Sequence, residues 1–229
     1  MSQNLLKRII TSTILLILFL IINYSHQYIF ILTILILGMI ICVEANNIFT
    51  KLSSSYFSKD KISINKLSFN FLILNLTTFC YVFFIFCYFS YNIYIFEGPT
   101  FFLYLISICF FTDIGGYVFG KIIGGKKLSK ISPNKTISGM IGSFFFSVIP
   151  LILLINIDYL NLELNFNNIM FNLLVSFISQ IGDLFISYLK RKAKIKDTGK
   201  ILPGHGGILD RVDGIIFAVP FSYFLLKFI

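Results

Sequence analysis

Two runs decide the fold: "IITSTILLILFLIIN" from Ile9 to Asn23 and "YIFILTILILGMIICV" from Tyr28 to Val43. Both are apolar on every face, so neither reads as a surface helix with one wet side. Outward from them, 57% of the 229 residues are hydrophobic and only 13% charged, against roughly a quarter charged in soluble domains. A bilayer is the expected solvent, and more apolar runs follow along the chain.

A spanning helix takes about 20 largely apolar residues. Spans are expected near Ile9–Asn23, Tyr28–Phe49, Phe69–Phe89, Phe101–Phe119, Ile137–Ile157, Ile169–Leu189 and Gly214–Ile229. The fold class is therefore an all-α polytopic membrane protein with about seven transmembrane helices. One membrane-embedded domain over residues 1–229 is expected, with N-terminal spans in 1–100 and the catalytic portion in 101–229. Lys7 and Arg8 precede the first run, but no small-residue cleavage site follows it, so it reads as a retained helix.

Charge placement orients the chain, because Lys and Arg collect in short cytoplasmic loops. With the N-terminus cytoplasmic and the C-terminus external, 18 of the 19 basic residues fall inside and only Lys227 outside. The external loops then carry Glu97, Asp158 and Glu163 and no base. The net charge of +9 becomes a cytoplasmic feature, facing anionic headgroups or a polyanionic substrate. Cys42, Cys80, Cys87 and Cys109 all lie in apolar spans without ligand spacing and read as small core hydrophobes.

An ionisable residue within a span is costly and marks a candidate site. Asp183 is one, in "VSFISQIGDLFISYLKR". Helical spacing puts Ser176, Gln180, Asp183, Ser187 and Lys190 on one polar stripe, with Arg191 alongside at its basic end. Beyond it, "KAKIKDTGKILPGHGGILDRVDG" breaks regular structure at Pro203 and at Gly204, Gly206 and Gly207. Glycine amides together with a helix start near Ile208 suit a phosphate. Asp210 and Asp213, with Arg211 between them, can hold Mg2+ beside phosphate oxygens, or Asp210 can cap the last helix. His205 reads as a general base, a phosphate donor or a turn residue, and an isolated histidine is not assigned a proton-transfer role. The fourth span ends "FTDIGGYVFGKIIGGKKL", where Asp113, Gly116, Tyr117 and Gly120 share a face and Lys121 follows; its glycines also suit close helix packing. Ser132, Lys135 and Thr136 in "SKISPNKTISG" suit phosphate contact and the start of a fifth helix.

Taken together, Ser187, Lys190, Arg191, Lys196, Asp197, Pro203, His205, Gly206, Gly207, Asp210, Arg211 and Asp213 resemble the signature of the phosphatidate cytidylyltransferase, or CDP-diacylglycerol synthase, family. "QIGDL" from Gln180, "DIGGYVFGK" from Asp113 and "SPNKT" from Ser132 resemble its other motifs. The resemblance covers Asp113 to Gly214 well and the N-terminal spans by hydropathy alone. It implies a homodimeric enzyme of the bacterial-type inner membrane, with its active site facing the cytoplasm. The implied reaction joins CTP to phosphatidic acid and releases pyrophosphate, with Mg2+ and K+ as a candidate second cation.

Carried over by motif, Asp183 and Asp210 are the expected metal ligands. Asp213, Lys190 and Arg191 complete the expected catalytic set, and Asp113, Lys121, Ser132, Lys135, Thr136, Ser187, Lys196, His205, Gly206, Gly207 and Arg211 would contact substrate. Two departures stand out: Ser138 and Ile186 occupy positions where the family often carries an acid, which leaves the metal number open. Alternative readings are a CDP-archaeol-type synthase or a polyprenol kinase and, more remotely, a cation transporter. The lipid bilayer is an expected partner; nucleic acid is not.

Overall fold

The structure, a computed structural model, describes residues 3–57, 64–128, 132, 135–155, 162–202 and 206–228; side chains at 3–9, 54–57 and 64–69 are not described. Pro133, Pro203, His205 and the loop charges at Lys59, Lys61, Lys130 and Asp158 lie outside the described residues. The elements are all helical: α1 (Gln3–Asn23), α2 (Gln27–Phe57), α3 (Ile64–Cys80), a π-helical stretch Tyr81–Cys87, α4 (Tyr88–Phe96), α5 (Gly98–Ile122), α6 (Ile137–Ser147), α7 (Ile149–Leu154), α8 (Phe166–Lys192), α9 (Leu209–Val212) and α10 (Ile215–Leu225).

Five stretches among the described residues are long and apolar enough to cross a membrane: Gln27–Ser53, Asn70–Phe96, Gly98–Ile122, Ile137–Leu154 and Phe166–Lys192. Of the outer two expected spans, α1 is 21 residues long, with Ile10–Asn23 as its apolar stretch among the described side chains, and α10 has 11 residues with Pro220 inside it. At 1.5 Å per residue α10 covers about 16 Å, roughly half a hydrocarbon core.

The chain divides into two compact units, Met1–Tyr91 with Leu189–Val212, and Asn92–Tyr188 with Asp213–Ile229. The segment after α8 thus groups with the N-terminal helices, although it follows the expected 100/101 division.

Burial follows lipid rather than water. Ile14, Leu16, Ile21, Leu32, Met39, Val43, Leu72, Leu76 and Phe84 are exposed, while Ser90, Thr112, Ser143, Ser147, Asn172, Ser176 and Ser179 are buried. Hydrocarbon solvates the large apolar side chains, so small and polar residues fill the spaces between helices. In the first unit Gly38 on α2 faces the π-helical stretch, where a Cβ would stand 3.0 Å from Cys87 Sγ and 3.1 Å from Val82. The Cys87 thiol donates to the Ile34 carbonyl at 3.6 Å. All four cysteines are free thiols; Cys87 and Cys109 are buried, as expected of core hydrophobes, whereas Cys42 is half-buried and Cys80 is exposed.

In the second unit α5 and α6 pack closely along their small residues. A Cβ on Gly139 would meet the Gly116 carbonyl at 2.7 Å, and one on Gly142 would overlap Phe119. The Ser143 hydroxyl donates to the Thr112 carbonyl at 2.8 Å. The glycines of "DIGGYVFG" therefore serve helix contact. Farther along the same unit the Tyr104 hydroxyl donates to Asn172 Oδ1 at 2.6 Å, tying α5 to α8. A second crossing joins α8 to α10: a Cβ on Gly182 would meet the Asp213 carbonyl at 2.9 Å and the Phe217 ring at 2.6 Å.

Gly142→Val is expected to separate α5 from α6 and destabilise the protein by about 1–3 kcal/mol, the usual range for overpacking. A fall in the thermal midpoint of detergent-solubilised protein, with Ile141→Val unchanged, is the measurement that checks it.

Candidate active site

The two units carry separate constellations. In the second, residues 126–128 and 135–137 pair briefly: Leu128 N–H donates to the Lys135 carbonyl at 2.8 Å, and Ile137 N–H to that of Lys126 at 3.0 Å. Gly124 and Gly125 permit the turn before this pairing because both take positive φ, +63° and +104°. Thr136 then caps α6, its hydroxyl accepting from Gly139 N–H at 3.1 Å. Held this way, Lys135 forms an ion pair with Asp183 on α8. The other Asp183 oxygen accepts from the Ser187 hydroxyl at 3.3 Å, and Gln180 donates to Ser176 at 3.3 Å. The polar stripe of α8 is thus a run of intrahelical contacts ended by a lysine from another element.

Both departures from the family pattern have structural work. The Ser138 hydroxyl donates to the Gly124 carbonyl, and Ile186 is buried in the core. Ser132 accepts from Lys135 N–H through its carbonyl at 3.1 Å. The Lys121 ammonium lies 5.6 Å from the Tyr117 ring centroid and 3.4 Å from its hydroxyl. Asp113 is on the exposed side of α5. Asp213 accepts from Gly214 N–H at 3.0 Å, directly at the α8–α10 crossing.

In the first unit α8 ends in a turn that frees the chain to fold back. Ile195 N–H reaches the Lys190 carbonyl and Lys194 N–H that of Arg191, both at 3.0 Å, with Lys194 left-handed at φ 56°. After it, Leu202 and Gly206 exchange backbone hydrogen bonds of 2.9 and 3.2 Å. Gly206 has φ +89°, and a Cβ there would stand 3.1 Å from both Asp197 and Asp210 Oδ2. Asp210 is the centre of this group. Its Oδ1 receives the Lys190 ammonium at 2.8 Å, while Oδ2 receives Thr198 N–H at 2.8 Å and Gly207 N–H at 3.0 Å and lies 3.1 Å from the Thr198 hydroxyl oxygen. Arg191, Lys196 and Arg211 are exposed around it.

Two expectations change here. The amides expected to face a phosphate face the chain's own carboxyl groups: Gly207 N–H points to Asp210, and Ile208 and Leu209 N–H point to Glu44 at 3.0 and 2.8 Å. Asp210 is likewise not the cap, since the leading amides of α9 are satisfied from α2. Sequence reading missed Glu44 and Thr198. The signal for Glu44 was present, because it is an acid within an apolar helix, the feature that singled out Asp183.

Burial raises the Asp210 carboxyl, but the Lys190 hydrogen bond and then the Thr198 and Gly207 amides outweigh it and hold it below its ordinary value. Its stabilising contribution is therefore complete above the unfolded value of about 3.9 and is lost as pH falls through the lower folded value. The thermal midpoint of wild type minus that of Asp210→Asn is expected to stay constant from pH 7 to about 5 and to shrink below about 4.

Among the described residues no three His, Cys, Asp or Glu side chains cluster around a metal position. The expected donors are Asp183 and Asp210, each facing an ammonium, with Asp197 and Glu44 near Asp210. Oxygen donors in ones and twos, completed by water and phosphate, are what Mg2+ takes. The donor chemistry fits that ion.

Residues 46–229 match the model of the cytidylyltransferase family. The phosphatidate cytidylyltransferase of Staphylococcus aureus (strain COL) is 45% identical over 133 residues, 57% of this chain and 50% of the relative. That of Staphylococcus haemolyticus is 42% identical over 133 residues, with the same coverage of 57% and 50%. The Bacillus subtilis (strain 168) protein of that name is 42% identical over 135 residues, 56% of this chain and 48% of the relative. The chain thus spans about half the length of the relatives it matches.

Proposed function

The chain belongs to the cytidylyltransferase family, and on that premise we propose that it transfers CMP from CTP to phosphatidic acid, giving CDP-diacylglycerol and pyrophosphate. The observation that carries the proposal is the pair of lysine–carboxylate contacts, Lys135 with Asp183 and Lys190 with Asp210, both inside the matched segment. Relatives named phosphatidate cytidylyltransferase at 42–45% identity support the choice of substrate.

The chemistry asks for charge neutralisation more than for a base. A phosphate oxygen of phosphatidic acid, ionised at neutral pH, attacks the α-phosphorus of CTP; the bond to the bridging oxygen breaks, and pyrophosphate leaves with the electron pair. Lys135, Lys190 and Arg191 bind and orient phosphate oxygens, which concentrates reactants of like charge. Asp183 holds Lys135 and Asp210 holds Lys190, and each is a proposed Mg2+ ligand within its own unit, where the ion would supply Lewis-acid stabilisation of phosphoryl charge when bound. Asp113, Asp213, Lys121, Ser132, Thr136, Ser187, Lys196, Gly206 and Arg211 are carried into the proposal as surrounding substrate contacts. Gly207 enters through its lack of a side chain, since its N–H is given to Asp210.

The proposed topology keeps seven spans, N-terminus inside and C-terminus outside, in a homodimer in the bacterial inner membrane. Glu44 supports the orientation: it lies in the later part of α2 and binds the loop after α8, so that part of α2 and the basic loop share one side of the bilayer. An impermeant thiol reagent applied to intact cells is expected not to label Lys200→Cys above the wild-type background.

Membranes containing the protein, given labelled CTP, phosphatidic acid and Mg2+, are expected to gain lipid-soluble label over an empty-vector control; no gain overturns the proposal. Asp183→Asn and Asp210→Asn are each expected to lower turnover about 100-fold or more while leaving insertion intact.

A further inference from the structure

Glu44 is 1% exposed and belongs to α2, more than 150 positions from the residues it binds. Three donors converge on its carboxyl group: the Thr198 hydroxyl at 2.8 Å and Leu209 N–H at 2.8 Å on Oε2, and Ile208 N–H at 3.0 Å on Oε1. The buried α2 residues on its side of the helix, Ile41, Ala45 and Ile48, are apolar. A carboxyl group in such surroundings is tolerated only with its oxygens satisfied.

The loop is shaped to admit it. A Cβ on Gly199 would stand 3.0 Å from the Glu44 carboxyl carbon, and one on Gly207 would stand 2.8 Å from it. Neither position has room for a side chain, so both glycines are clearance for a group arriving from a distant helix. Both limbs of the loop are held, Thr198 on one side and Ile208–Leu209 on the other. Thr198 also joins Glu44 to Asp210, its hydroxyl lying 2.8 Å from one carboxyl group and 3.1 Å from the other.

We propose that Glu44 is a positioning residue for Asp210. It occupies the leading amides of α9 and fixes the loop so that Asp210 presents one oxygen to Lys190 and gives the other to backbone. The kinetic arm of the test rests on the proposed CMP transfer; the exchange arm does not.

The test compares Glu44→Ala and Glu44→Gln with wild type, using the full chain in detergent for amide hydrogen exchange and in membranes for CMP transfer. Exchange over 196–212 is expected to accelerate about tenfold or more in Glu44→Ala and less in Glu44→Gln, with 98–122 and 137–154 at wild-type rates. Turnover is expected to fall about 10- to 100-fold in Glu44→Ala with KM for CTP within about twofold, and Glu44→Gln, which keeps an acceptor oxygen, to recover part of it. Wild-type exchange over 196–212 in both variants overturns the proposal. So does uniform acceleration across the chain in both, because Glu44 would then serve overall stability alone. If wild type itself incorporates no CMP into lipid, the transfer reading fails, and the exchange result alone decides the role of Glu44.

Discussion

A carboxyl group removed from water must find donors or a cation, and the first unit is organised around meeting that demand twice within one loop. Asp210 takes Lys190 on one oxygen and two amides on the other. Glu44 takes two amides and the Thr198 hydroxyl. Much of the local geometry follows. Gly199 and Gly207 are small because carboxyl groups lie where their side chains would be, and Gly206 takes a left-handed φ over Asp197 and Asp210. Lys194, left-handed at the end of α8, turns the chain so that the loop can return to that helix at Lys190.

The second unit meets the same demand within α8, where Asp183 lies one turn before Ser187 and is paired by a lysine from the segment that starts α6. That segment is placed by backbone pairing with 126–128 and by the Thr136 cap, not by its own helical propensity. In each unit a lysine ammonium stands against an acid.

The bilayer sets the rest. Hydrocarbon gives apolar side chains no reason to hide, so helix contacts are made by glycine, serine and threonine, as between α5 and α6. This explains why glycines of a functional motif prove to be packing residues. The Asp113 motif is read by its chemistry in the sequence, yet Gly116 leaves room for the Ser143 hydroxyl, which a Cβ there would meet at 2.8 Å.

Hydropathy and charge, both local properties, were enough to determine the helical class, most spans and the acids and bases of the candidate site. An apolar run of sufficient length is a helix in lipid whatever its neighbours do, because no other backbone arrangement satisfies its amides there. Which lysine serves which acid was decided only by tertiary structure, since Lys135 and Asp183 are 48 positions apart. Glu44 shows the limit most clearly. Its charge within a span was visible, but its donors lie more than 150 positions away, and no periodicity relates α2 to the turn before α9. The same separation hid the destination of the Ile208 and Leu209 amides, which go to Glu44, whereas Gly207 N–H goes to Asp210 three positions on.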